Sequence, residues 1–270
     1  MIKKLFEQKK KIEPQSKPKE SEEILEEQIA ASLKEFKRSN TNLFISAFIA
    51  GLEIGFSVLL MGTLYTLFGG NTSPELLTVL LALSYPLGFI FVIIGRSELF
   101  TEHTALALLP VLNRSVTIRS LISLWSLVYV GNLLGGLIFS LLLIKIGPSV
   151  GFIEINSFFH LADKMVDHDW STILVSAILA GWMMGLLGWL VTSSKDSLSR
   201  IFVIILVTFV IGLAGLHHCI VGSIEVLAGL MTSEKIRLID YVNFQVWATL
   251  GNVLGGTIFV GILKYGQIRM

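Results

Sequence analysis

Leu216-His217-His218-Cys219-Ile220-Val221-Gly222-Ser223 lies inside a run that is otherwise apolar from Ile201 to Ile224. A run of that length crosses the hydrocarbon of a bilayer, which takes about 20 residues of helix. It therefore sets two adjacent imidazoles near the membrane midplane, where polar side chains are costly and usually mark a pathway. The pair favours a transport or proton-handling role over a purely structural polar contact between helices.

The composition agrees, with 53% hydrophobic and only 15% charged residues, far from the norm for soluble domains. Of the 41 acidic and basic residues, 18 fall in the first 40 positions, so the remaining body is poorer still in charge. A net charge of +1 argues against a nucleic-acid partner, which calls for a concentrated basic surface. The single cysteine, Cys219, excludes an intramolecular disulfide framework and a cysteine zinc cluster.

Residues 1–40 mix lysine with glutamate and have no apolar core of a cleaved signal, so a retained cytoplasmic tail is expected. Its first part, with Lys9, Lys10, Lys11, Pro14 and Pro18, reads as mobile. From Ser21 onward an amphipathic helix is expected with Leu25, Ile29, Leu33 and Phe36 on one face, forming a collar packed on the bundle.

Residues 41–267 then carry six apolar spans, at about Thr41 to Leu67, Leu76 to Leu109, Ser120 to Ile146, Ser171 to Thr192, Ile201 to Met231 and Tyr241 to Lys264. The second and fifth are too long and are interrupted by polar residues. One interruption is Arg96-Ser97-Glu98 with Thr101, Glu102 and His103; the other is His217 to Ser223 with Glu225. Each is expected to break into two half-helices around a non-helical loop, because lipid does not tolerate those charges or an unpaired backbone. The expected fold is thus an all-α membrane protein of six transmembrane helices.

Lysine and arginine in the short connections, Arg114 and Arg119, Lys195 and Arg200, and Lys264 and Arg269, fall on the side of the basic tail. The acidic loop from Gly147 to Trp170 falls on the other, which places both termini in the cytoplasm of a multi-pass plasma or inner membrane protein. Lys145, Lys235 and Arg237 blur this pattern.

The chain also repeats. Gly131-Asn132-Leu133-Leu134-Gly135-Gly136 recurs as Gly251-Asn252-Val253-Leu254-Gly255-Gly256, and Ala47-Phe48-Ile49-Ala50-Gly51 with Gly55 recurs as Ala177-Ile178-Leu179-Ala180-Gly181 with Gly185. Two units of three spans, about residues 41–147 and 171–267, must insert with opposite orientation because three is odd, the inverted-repeat architecture of many transporters. The two breaks then approach each other from opposite sides, and their half-helix N-termini offer amides to a small anion.

At these residues the chain resembles the formate/nitrite transporter family, pentameric channels and transporters for small monovalent anions. The resemblance covers about Asn40 to Gly266 and rests on Ser97-Glu98-Leu99-Phe100-Thr101, the break around His218 and the two Gly-Asn-x-Leu-Gly-Gly stretches. It implies a homopentamer with one pore per protomer and no cofactor. It matches His218 to the family's central pore histidine, Thr101 to the threonine facing it, and Leu99 and Phe100 to an apolar flank. Tyr85 and Phe89 fall at one constriction and Ile211 at the other. Several positions depart from the family pattern. His217 replaces a glutamate, Gly222 an asparagine and Arg96 a small residue, while Lys164 lies one place from the expected loop lysine, which puts Met165 there. Formate or nitrite selectivity does not follow from such a set.

The mechanism this implies draws a weak-acid anion to the amide-rich vestibule, adds a proton near Thr101 and His218, and passes the neutral acid through the constriction. Glu53 is open between a partner of Arg96, a polar helix contact and a pore group. Glu98 and Glu225 are expected to cap the half-helices, Asn132 and Asn252 to hydrogen-bond between helices, and His160 and His168 to be solvated. Cys219 is expected to pack, within reach of the pore. Two other classes compete. A water or neutral-solute channel shares the half-helices without needing histidine. An intramembrane metalloenzyme would draw on His103, His217, His218, Glu98 and Glu225 but has no recognisable ligand spacing.

Overall fold

The computed structural model describes residues 17–269, and the expectation for Lys9, Lys10, Lys11 and Pro14 lies outside them. All its regular elements are helical: α1 (Ser21–Glu35), α2 (Asn40–Phe68), α3 (Pro74–Ser84), α4 (Pro86–Gly95), α5 (Phe100–Leu106), α6 (Leu109–Leu112), α7 (Ile118–Val150), α8 (Ile155–Val166), α9 (Trp170–Ser193), α10 (Ser197–Leu213), α11 (Val221–Thr232) and α12 (Leu238–Leu254), which runs through a π-helical stretch at Gly255–Ile262 into α13 (Leu263–Arg269). Five helical segments are long and apolar enough to cross a membrane: α2, α3 with α4, α7, α9 and the stretch from α12 to α13. The shorter apolar helices are α5 with α6, α10 and α11.

The collar helix forms where its heptad-like spacing allows. Ile24, Leu25 and Ile29 are buried against Leu109 and Trp189, with Leu33 packed beside them. The helix ends at Glu35, so Phe36 lies past it and packs on the main core instead. The segment between Gly147 and Trp170 corrects the expectation of a loop. It holds α8, whose apolar face of Phe158, Leu161, Ala162 and Met165 is buried, and α8 packs closely on α11.

The second apolar run bends at Pro86, whose ring removes a backbone donor. Ser57 of α2 repairs the bend: its hydroxyl donates to the Tyr85 carbonyl at 2.6 Å and accepts from the Gly88 amide at 2.8 Å. The helix then stops at Arg96, which adopts a left-handed φ of 62°, and α5 starts after an extended Leu99. The fifth run stops at Leu213; Gly215 supplies a φ of 62°, and α11 starts at Val221.

The repeated sequences make repeated contacts. A Cβ on Gly51 would lie 2.2 Å from the Asn132 carbonyl oxygen, and one on Gly181 would lie 2.2 Å from that of Asn252. Gly135 against Phe48 and Gly255 against Ile178 are equally tight, so α2 crosses α7, and α9 crosses α12, with backbones touching. Only glycine fits at these crossings.

Candidate functional site

Asn132 and Asn252, both fully buried, hold the two breaks in the same way. Asn132 accepts from the Phe100 amide at 2.8 Å and donates to the carbonyls of Ala47 at 2.7 Å and Glu98 at 2.8 Å. Asn252 accepts from the Cys219 amide at 2.8 Å and donates to the carbonyls of Ala177 at 2.8 Å and His217 at 3.0 Å. Each amide thus ties a helix crossing to the loop beside it and satisfies backbone groups that the break leaves without helical partners.

The breaks meet at Thr101 and His218. The Thr101 hydroxyl and His218 Nε2 are 2.8 Å apart, and both side chains are buried. His218 Nδ1 accepts from the amides of Ile220 at 3.3 Å and Val221 at 3.2 Å. Since an amide only donates, the neutral ring carries its proton on Nε2 and presents it to the Thr101 oxygen. A second proton on Nδ1 requires the ring to turn away from both amides. This narrows the expectation of open amides at the half-helix N-termini: Asn132, Asn252 and His218 itself take those of Phe100, Cys219, Ile220 and Val221.

Phe89 packs edge-on against the His218 ring with centroids 5.3 Å apart, and Tyr85 stacks on Phe89 at 5.4 Å. Tyr85 and Ile211 line one cavity of about 30 Å³ together with Lys164, Met165, Gly215 and Glu225. Ile211 is therefore beside Tyr85 rather than at a separate constriction. Leu99 is fully buried at the start of α5, whereas Phe100 turns to α7, its ring 4.8 Å from Tyr129 and 6.4 Å from Trp125. Gly222 does not open toward Thr101: a Cβ there would lie 2.4 Å from the Phe244 ring.

His217 turns from His218. Its Nδ1 lies 2.8 Å from the Ser176 hydroxyl, which also accepts from the His217 amide at 3.1 Å. Its ring faces His168 at 5.4 Å and Phe244 at 6.1 Å, and Nε2 has no partner among the described residues. His168, although exposed, is thus drawn onto the fifth-run break, and His160 stacks on Tyr65 at 4.9 Å.

Neither glutamate caps a helix. Glu98 pairs with Arg38 at 2.7 Å and with His103 Nε2, and Arg38 also binds Glu35 at 2.6 Å. Burial first, and the charge of Glu98 second, push the Glu35 carboxyl above its ordinary range. Glu225 lies beyond the first turn of α11. Glu53 accepts from Ser97 at 2.6 Å, not from Arg96. Arg96 instead lines an open cavity of about 360 Å³ with Arg200, Glu102 and α1. Cys219 is fully buried behind the break, where Gln245 donates to its carbonyl at 3.2 Å. Among the described residues no three histidine, cysteine, aspartate or glutamate side chains are grouped to hold a metal ion.

Residues 22–266 match the model of the formate/nitrite transporter family. The chain is 32% identical over 239 residues to the inner membrane protein YfdC of Escherichia coli, covering 87% of this chain and 75% of that one. It is 27% identical to the formate channel FocA of Haemophilus influenzae, covering 84% and 88% of the two chains. A solved ion channel of the same family superimposes with a TM-score of 0.80 at 18% identity, covering 90% of this chain and 98% of the other. A pentameric formate channel with formate bound gives a TM-score of 0.69 at 21% identity, covering 86% and 98%. The matched residues begin within α1 and take in all the spans. This multi-pass membrane protein belongs to the formate/nitrite transporter family.

Proposed function

We propose that the chain is a channel or transporter for a small monovalent weak-acid anion, with residues 41–267 as the transport unit and both termini cytoplasmic. The observation that carries the reading is the contact between Thr101 and His218, which joins the two breaks beside the aromatic pair Phe89 and Tyr85. An anion crossing that apolar neck bare would lose its hydration with nothing to replace it. It takes a proton on the way in, is hydrogen-bonded by the Thr101 and His218 pair, and passes as the neutral acid. Relatives of this chain include proteins named formate channels, and one solved neighbour is pentameric, which supports an assembly of five copies.

A proteoliposome panel of formate, nitrite, acetate, lactate and hydrosulfide at about pH 5 and 8 tests substrate and proton linkage together. Uptake of one or more of these acids that is faster at low pH supports the proposal. Osmotic swelling with a neutral solute and no response to pH would make it a water or solute channel.

A further inference from the structure

We propose that Glu225 is the proton donor and selectivity residue of the entrance on the α8 side. This deepens the reading above and rests on it. Glu225 is a carboxyl at membrane depth, 5% exposed, and it lines the small cavity that Tyr85 and Ile211 share just outside the neck. It hydrogen-bonds to no side chain or backbone group among the described residues, in contrast to Glu98 and Glu53, whose oxygens are taken by Arg38, His103 and Ser97. A buried carboxyl without a partner is costly unless a solute or water in its cavity completes it.

The groups around it leave one cation in reach. Lys164 enters from α8 and lies over the break: a Cβ on Gly215 would be 3.3 Å from its Cε and 3.7 Å from its Nζ. Tyr85 faces the cavity from the α3–α4 bend, and Met61 faces it from α2. On α7 the neighbouring group is the Ser140 hydroxyl, which donates to the Ile224 carbonyl at 3.1 Å. On α12 it is the Tyr241 phenol, held by Ser223 at 3.0 Å. In the preceding break His218 is committed to Thr101, while His217 holds Ser176 through Nδ1 and keeps an Nε2 without a partner among the described residues.

This arrangement supplies the proton that the fixed His218 ring does not offer freely. An anion A⁻ attracted by Lys164 enters beside the protonated Glu225. The carboxyl O–H bond breaks, its proton passes to an oxygen of A⁻, and HA moves on past Tyr85 and Phe89. The carboxylate left behind is matched by the Lys164 ammonium until water at the α8 mouth returns a proton. The cycle moves one A⁻ and one H⁺ together. Because an ionised Glu225 repels a second negative charge, the entrance also discriminates against dianions and anions of strong acids, which take no proton.

The test is formate-driven proton uptake into proteoliposomes carrying an internal pH dye, for the wild type, Glu225→Gln and Glu225→Asp. Glu225→Gln is expected to lose at least about tenfold of the low-pH uptake and to flatten its pH profile, and Glu225→Asp to restore part of both. A glutamine variant with the wild-type rate and profile overturns the proposal. So does a glutamine variant that elutes normally on size exclusion and loses uptake equally at every pH, since that is a structural defect alone. If Glu225→Gln is not recovered folded, Glu225→Met takes its place, and a folded Glu225→Met variant with the wild-type rate and profile overturns the proposal. The same measurement is made with nitrite, acetate, lactate and hydrosulfide, and a wild type without proton movement linked to any of the five refutes the parent reading instead, so that the two failures are distinguished.

Discussion

Removing the Asn252 side chain tests whether the breaks are held as described. The residue is fully buried and makes three hydrogen bonds to backbone groups, at 2.8, 2.8 and 3.0 Å. Asn252→Ala leaves the Cys219 amide and the carbonyls of Ala177 and His217 without this partner. An unpaired buried polar group costs about 1–3 kcal/mol, and some relaxation is expected, so the total is about 3–6 kcal/mol. At ~2–4 °C per kcal/mol for a domain of this size, the midpoint should fall by roughly 6–24 °C. The assay is thermal unfolding of purified protein in detergent, followed by fluorescence-detected size exclusion. Asn132→Ala should fall by a comparable amount, because Asn132 also makes three such bonds at the other break. A shift below about 3 °C for either variant would refute the reasoning.

Other expectations follow from single contacts. Gly181→Ala places a methyl 2.2 Å from the Asn252 carbonyl and should lower the yield of folded protein, as should Gly51→Ala against Asn132; normal yield and midpoint for both would contradict the crossings described. Arg38→Met leaves Glu35 without its cation and Glu98 with His103 alone, and should cost about 1–3 kcal/mol, discounted for partial exposure, read as a lower unfolding midpoint. Asp169 caps α9 through the Thr172 amide at 2.8 Å, and the Ser171 hydroxyl first, then that amide, hold its carboxyl below the ordinary range. Its folded pKa is depressed, so its contribution is present above the unfolded value of about 3.9 and is lost as pH falls through the folded one. Asp169→Ala should therefore lower the midpoint at neutral pH and make no difference well below about pH 4.

The parts of this protein that were legible in its sequence are those where the bilayer leaves few solutions. Charge inside an apolar run cannot remain helical against lipid, which located both breaks near Arg96 and His217. Glycine beside asparagine, repeated, marked the two crossings because no larger residue passes there. Lateral partners carried no such signal. Arg38 reaches Glu98 across 60 positions, Ser176 reaches His217 across 41, and Phe244 fills the space before Gly222 from another helix. Helix α8 is hard to read from the sequence because it is only 12 residues long and sits in an acidic connection, although its apolar face is regular. The distance of Glu225 from the start of α11 depends on where the break ends, and a polar run alone does not set that point.

The central claim is that a small acid passes where the second and fifth runs are interrupted, beside the ring of His218. Formate flux across a range of about pH 5 to 8, compared between the wild type and His218→Phe in proteoliposomes, tests it most directly. Wild-type flux is expected to rise as pH falls, and the phenylalanine variant, folded by size exclusion, is expected to lose most of that flux because the hydrogen-bonding ring beside the passage is gone. Equal flux with the same pH response in both would contradict it.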